Sequence, residues 1–177
     1  ALTSAICSHD GGAKTLVIEK SDHYGGTSAT SGGGVWIPNN RYAKAENVDD
    51  SDQDARDYIN SVSPEGKIKD ELVETYITEG PNMIDYLHEN SQVKYRNLAH
   101  YPDYFPDNPG GKAGNRSMEP EPIKGTELGE DLGRLRGQHP QTAFTMGPIN
   151  MNFTQVEGQL LLGALPGWKS QFAKLFT

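Results

Sequence analysis

The stretch "TLVIEKSDHYGGTSATSGGGVWIPNN", Thr15 to Asn40, decides the fold. It opens on Thr15-Leu16-Val17-Ile18, a short apolar, β-branched run bounded by a turn signal and by charge. Such a run suits a strand buried on both faces, as in a parallel sheet, better than an alternating edge strand. Glu19 and Lys20 end it. From Tyr24 to Gly34 the chain is almost bare backbone, glycine interleaved with Ser, Thr and Ala, and then "VWIPNN" follows abruptly. Glycine lets backbone N–H groups approach an anion or a flat ring, and small hydroxyls add donors without bulk. A flexible linker would also be rich in Gly and Ser. It would not be flanked by a buried strand on one side and Trp36-Ile37-Pro38 on the other. Trp36 and Ile37 are expected to pack beneath or beside a site, and Pro38-Asn39-Asn40 to turn the chain away.

Upstream, "ALTSAICSHDGG" reads as the end of a helix. Leu2, Ile6 and Ala5 share a face, and Gly11-Gly12 is the stop. Helix, short loop and buried strand make half of a βαβ unit. In dinucleotide-binding folds an acid at the end of such a strand accepts hydrogen bonds from the ribose hydroxyls, and Glu19 stands there. The matching G-x-G-x-x-G should lie roughly 20 residues earlier. Eighteen residues precede Glu19 and none forms that motif. The pattern therefore predicts that the first strand and the glycine loop belong before Ala1, and that the chain is a piece cut within a βαβ unit.

Downstream, "DDSDQDARDYIN" reads as a helix with an acidic start, suited to the positive end of the helix dipole. "SPEGKIKDELVETYITEGPNMIDYLHEN" gives one or two more. Leu72, Val73, Tyr76 and Ile77 form one apolar face, Gly80-Pro81 is expected to break or kink the helix, and Met83, Ile84 and Leu87 continue on a second. From Ala99 to Thr142 the chain is rich in Pro, Gly and charge with little periodicity. A structureless loop of that length is usually functional or disordered, and Tyr101, Tyr104 and Phe105 argue against disorder. The tail from Phe153 reads as two short helices around Leu165-Pro166-Gly167.

Composition narrows the function. The chain has 177 residues, 20 glycines, 11 prolines, a hydrophobic share of 34% and a net charge of −8. It fits one domain or one and part of another, with extensive loops. The negative charge excludes a general nucleic-acid binder, which needs a basic face. No apolar run approaches the roughly 18 residues of a membrane span. A basic start and a long apolar stretch are both lacking, so no secretory leader is read and a cytoplasmic location is expected. The single cysteine, Cys7, rules out an intrachain disulfide framework and is expected to be a small buried residue of the first helix. His9, His23, His88, His100 and His139 lack metal-ligand spacing, so no metal is expected. Arg116, in "GNRSMEP", could contact a cofactor or an acidic group, or form a surface salt bridge.

The quoted stretch resembles the flavin-binding segment of the fumarate reductase/3-ketosteroid dehydrogenase group of flavoproteins. "YPDYFPDNPGGKAGNRSMEP", Tyr101 to Pro120, resembles the 3-ketosteroid Δ1-dehydrogenase branch. The likeness runs from Ala1 to Pro122 and continues loosely beyond. It implies an α/β fold: a partial Rossmann-like FAD-binding domain over 1–98, with helical segments, and the loop-rich start of a substrate domain over 99–177. It implies noncovalent FAD, because Ala29-Thr30-Ser31 stand where some relatives carry a flavin-linking histidine. Glu19, beside Lys20, matches the ribose-binding acid. Gly25, Gly26, Thr27 and Ser28 match the turn at the adenosine-ribose and pyrophosphate region, and Ser31, Gly32 and Gly33 the stretch beside the flavin ring.

The implied reaction is dehydrogenation next to a ketone. A proton leaves C2 and a hydride passes from C1 to flavin N5, with tyrosines as base, base-support and carbonyl-polarising donor. Tyr104 matches the supporting tyrosine, Tyr101 being the nearby alternative, and the other two tyrosines are expected beyond Thr177. The implied partners are a steroid-like ketone and an external electron acceptor. A fumarate-reductase-like flavoprotein reducing an activated alkene is the alternative enzyme. A non-catalytic piece unable to hold FAD alone is the alternative of another class.

Overall fold

The computed structural model describes residues 2–65, 67–137, 144–146, 149–151 and 154–174. The chain forms two compact units: Ala1–Thr30 with Lys124–Thr142, and Ser31–Ile123 with Ala143–Thr177.

The first unit contains helix α1 (Leu2–Asp10), a 3₁₀ turn at Ser28–Thr30 and a 3₁₀ segment at Gly125–Arg134, interrupted at Gly129. α1 ends as its two glycines predict. Gly12 adopts φ +85°, its N–H reaches His9 O at 2.8 Å, and Ala13 N–H reaches Ser8 O at 3.0 Å. This is the Schellman closure, which a left-handed glycine permits. Two expectations fail here. Thr15–Ile18 lies outside any strand, with Leu16 and Ile18 84% and 85% exposed. α1 buries no residue, and Cys7 is exposed. A strand buried on both faces needs neighbours for its backbone groups as well as its side chains. Among the described residues, no strand pairs with this run.

The second unit begins with β1 (Val35–Trp36), α2 (Arg41–Ala45), α3 (Asp52–Val62), α4 (Asp70–Asn90), β2 (Tyr95–Asn97) and β3 (Ser117–Pro120). It continues with a hairpin of β4 (Phe144–Met146) and β5 (Ile149–Met151), then α5 (Gln155–Leu162) and α6 (Trp168–Lys174). The first three strands form an antiparallel sheet in the order β1-β3-β2. Val35 and Asn97 both face Met118 in register. Position 98 falls directly after a strand that pairs with β3, so strands on both sides of it share this sheet.

"VWIPNN" is a strand end, a turn and a cap. Ile37 is buried with Ile84 and Met118, while Asn39 takes φ +51° and turns the chain. Asn40 is fully buried as the N-cap of α2. Its Oδ1 accepts from Tyr42 N and Ala43 N, each at 3.0 Å. Its Nδ2 donates to Ile37 O at 2.9 Å and Asn115 O at 3.1 Å. Asn40→Ala removes all four bonds and is expected to cost about 1–3 kcal/mol. Asn40→Asp keeps the two caps and is expected to cost less, as denaturant unfolding of the intact protein would measure.

Pro81 does not end the helix: α4 runs unbroken from Asp70 to Asn90. Its buried stripe, Val73, Ile77, Gly80, Ile84 and Leu87, keeps one helical period on both sides of the proline. That packing outweighs the roughly 3 kcal/mol an interior proline costs. Gly80 admits Ile37, whose methyl groups lie 3.3 Å from where a Cβ would stand. Leu72 and Tyr76, assigned to the same face from the sequence, are exposed.

The tail forms the two expected helices, and α5 starts on a capping box over Thr154-Gln155-Val156-Glu157. Glu157 Oε2 accepts from Thr154 N at 3.0 Å, and Thr154 Oγ1 accepts from Glu157 N at 3.2 Å. No helix among the described residues is long and apolar enough to cross a membrane.

Candidate functional site

The sequence-predicted site residues fall in both units. In the first, Glu19 is exposed and its Oε1 accepts from Ser21 N at 3.0 Å. Lys20 is exposed beside it. Gly25 and Gly26 take φ +108° and +54°. A Cβ on Gly25 would stand 2.6 Å from that of Ala29. Thr27 O accepts from Thr30 N at 3.1 Å and from Thr30 Oγ1 at 2.9 Å, and Ser28 opens the 3₁₀ turn. The turn is flanked by a partner the sequence did not reveal. Tyr24 bridges Leu135 in parallel, its N–H on Arg134 O at 2.9 Å and its O accepting from Arg136 N at 2.9 Å.

In the second unit a cavity of about 670 Å³ brings Ser31, Gly32 and Gly33 together with Tyr104. Its size is that of a small-molecule site. Gly34, Val35 and Trp36 continue the glycine wall, and Tyr58, Ile59 and Val62 of α3 supply an apolar one. Tyr101 to Phe105 complete it together with Leu98 and Ser117. Gly33 takes φ +69°, and a Cβ there would lie 2.8 Å from Pro120 Cγ. Backbone rather than side chain therefore faces the space at this wall. Tyr104 is 85% exposed on its loop, and the next residue is tied down by Phe105 N–H on Tyr58 Oη at 3.3 Å.

Behind the cavity wall lies a buried ion cluster. Arg116 is 1% exposed, so it forms no surface salt bridge, and its contact is with acidic groups, one of the readings its sequence offered. Its Nη2 meets Asp50 Oδ1 at 2.7 Å and its Nη1 meets Asp103 Oδ2 at 2.9 Å. The guanidinium lies 5.4 Å from the Trp36 ring centre and 5.7 Å from that of Tyr58, within cation–π range. Trp36 Nε1 donates to Asp103 Oδ1 at 2.6 Å. Asp50 belongs to the acid run assigned to a helix start. Asp52 and Asp54 do stand in the first turn of α3, but Asp50 is held by Arg116. Asp103 carries no local signal for burial, since its partners are distant in sequence. His139 lies outside the described residues.

A second tether holds the same loop. Lys112 Nζ reaches Asp54 Oδ2 at 3.0 Å. The hydrogen bond from Lys112, with one from Ser51, holds the Asp54 carboxyl below its ordinary value of 3.8. A lowered folded-state value contributes stability that is full above the ordinary value and is lost as pH falls through the lowered one. Asp54→Asn is therefore expected to flatten part of the acid limb of a stability–pH curve below about pH 5, leaving the neutral side's shape unchanged.

The sequence profile of the FAD binding domain family matches residues 1–161. The chain is 35% identical over 155 residues to the 3-oxosteroid 1-dehydrogenase of Mycolicibacterium smegmatis, covering 88% of this chain and 27% of that protein. It is 35% identical over 146 residues to the 4-oxocyclohexanecarboxylate 2-dehydrogenase of Sinomonas cyclohexanicum, covering 82% and 25%. Its fold is similar to the crystal structure of 3-ketosteroid Δ1-dehydrogenase from Sterolibacterium denitrificans in complex with 1,4-androstadiene-3,17-dione. That match has a TM-score of 0.86 at 37% identity, covering 98% of this chain and 30% of that one. The chain thus spans between 25% and 30% of the length of these three relatives.

Proposed function

Because the chain belongs to the family of FAD binding domains, we propose that its parent protein is a dehydrogenase forming a C=C bond next to a ketone, with 3-ketosteroids as substrate class. The observation that carries this reading is the cavity joining the glycine segment Ser31–Gly33 to Tyr104. The relatives named for 3-oxosteroid dehydrogenation support the substrate class.

Within each unit taken by itself, the residues present fit a part of FAD. Gly25 and Gly33 are positions where a Cβ would collide with a neighbour, and Glu19 is an exposed carboxylate. Glu19, with Lys20 beside it, would hold the adenosine ribose, and Gly25, Gly26, Thr27 and Ser28 the pyrophosphate. Ser31, Gly32 and Gly33 would lie along the flavin ring, held noncovalently. FAD, when bound, supplies the two-electron acceptor for the C–H bond that breaks. Tyr104 supports the base by hydrogen bonding, and the apolar wall of Tyr58, Ile59 and Val62 keeps water from the reacting carbons. An external electron acceptor would be the second partner, and the protein acts in the cytoplasm. The division at residue 98 into flavin-side and substrate-side parts belongs to the same proposal.

The test is turnover by the intact FAD-loaded protein with an artificial electron acceptor. The expected result is 1,2-desaturation of a 3-ketosteroid, with kcat lowered about tenfold to a hundredfold in Tyr104→Phe at unchanged FAD content. Preference for a single-ring ketone, the substrate type of the Sinomonas relative by its name, would move the substrate class. Turnover of an activated alkene such as fumarate in place of either ketone would overturn the reading.

A further inference from the structure

We propose that Asp103 is a positioning residue that ties the glycine wall of the cavity to the loop bearing Tyr104, acting through Trp36 and Arg116. This rests on the reading of that cavity as the place where cofactor and ketone meet.

Asp103 immediately precedes Tyr104, yet the two side chains have opposite fates. Tyr104 is largely exposed, whereas the Asp103 side chain is 2% exposed. Every partner of its carboxylate is a donor. Oδ1 accepts from Trp36 Nε1, and Oδ2 accepts from Arg116 Nη1 at 2.9 Å and from Lys112 N at 3.0 Å. Its own N–H donates to Lys112 O at 3.0 Å, so backbone and side chain clamp the same residue. Arg116 is fixed in turn by both oxygens of Asp50. Trp36 lies three residues after Gly33, on the strand that leaves the glycine segment, and it stacks on Tyr76 at 6.2 Å.

One carboxylate therefore joins the backbone wall to the tyrosine loop by charge-assisted bonds in a dry setting, where such bonds are strong and directional. Proton transfer is sensitive to displacements far smaller than those that unfold a loop. The chemical step should thus depend on Asp103 more than substrate binding does. An asparagine there has one carbonyl oxygen for three donors, and its amide would face a donor, so Asp103→Asn breaks the tie at constant size.

The experiment uses the intact FAD-loaded protein with Asp103→Asn, Trp36→Phe and Asp54→Asn. Trp36→Phe removes only the indole donor and keeps the ring. Asp54→Asn loosens the same loop at Lys112, away from the cavity lining. Kinetics with a 3-ketosteroid are expressed per bound flavin. In parallel, 3-fluorotyrosine is incorporated and the Tyr104 fluorine resonance is identified by its loss in Tyr104→Phe. The expected result is kcat lowered at least fivefold in Asp103→Asn and in Trp36→Phe, with KM within twofold. The double variant should be no worse than Asp103→Asn alone. The Tyr104 resonance should broaden or split in both, while Asp54→Asn leaves kcat and resonance as in the parent.

An unchanged kcat and a single sharp resonance in Asp103→Asn overturn the proposal, as does an equal kcat loss in Asp54→Asn. If Asp103→Asn does not fold, Trp36→Phe decides by the same criteria. If no form turns over a ketosteroid, the functional reading has failed, and the fluorine resonance alone decides whether Asp103 positions Tyr104.

Discussion

Arg116→Met is expected to lower the unfolding free energy of the intact protein by about 3–5 kcal/mol, the cost of stranding buried charge. Methionine nearly matches the arginine stem in volume, so the loss would not be one of packing. It would come from Asp50 and Asp103, whose side chains are 3% and 2% exposed. Among the described residues Arg116 is the cation paired with both. Without it, two buried carboxylates lose the cation that offsets their desolvation. Denaturant unfolding of the intact protein checks this. A deficit under about 1 kcal/mol would mean that the cluster is wet, as surface pairs are.

Gly110→Ala is expected to cost about 2–5 kcal/mol, from left-handed backbone and overpacking together. Gly110 takes φ +71°, and its added Cβ would fall 2.0 Å from Asp54 O and 2.9 Å from Tyr58 N. Those atoms are helix backbone, so they cannot swing aside as a side chain would. The loop would have to lift off α3, and Tyr104 rides on that loop. Gly26→Ala is the control: its φ is +54° but nothing stands within 4 Å of the new Cβ, so only about 1–2 kcal/mol is expected. Equal costs for the two, read as shifts of the unfolding midpoint, would deny the close contact.

Arg116 and Gly110 both lie in "PDNPGGKAGNR", Pro106 to Arg116, a segment whose composition reads as loop. The aromatics just before it, Tyr101, Tyr104 and Phe105, argued against disorder. Composition did not reveal that the glycines are there for contact: Gly114, too, would place a Cβ 2.0 Å from Ala99 O. Nor did it reveal the fate of Arg116, since Asp50 lies 66 residues away along the chain. The same limit explains Thr15–Ile18. Its β-branched run is a sound local signal for a buried strand, but a strand exists only with a partner, and none of the described strands pairs with it. At Pro81 the error has the opposite sign. The local breaker rule was overridden by a stripe of buried residues on both sides.

Short-range physics was readable directly. The end of α1 at its glycines, the acidic start of α3, the turn at Pro38–Asn40 and the two helices of the tail depend on caps, dipoles and backbone freedom within a few residues. The bare backbone of Gly32 and Gly33 was legible for the same reason, because a missing Cβ is a property of the residue itself. By itself, then, the sequence determined where this chain bends, caps and exposes backbone. Only the tertiary structure decided which charges are buried and which aspartate stands behind the tyrosine loop. Burial is a property of neighbours brought from distant positions, and no single stretch of chain encodes it.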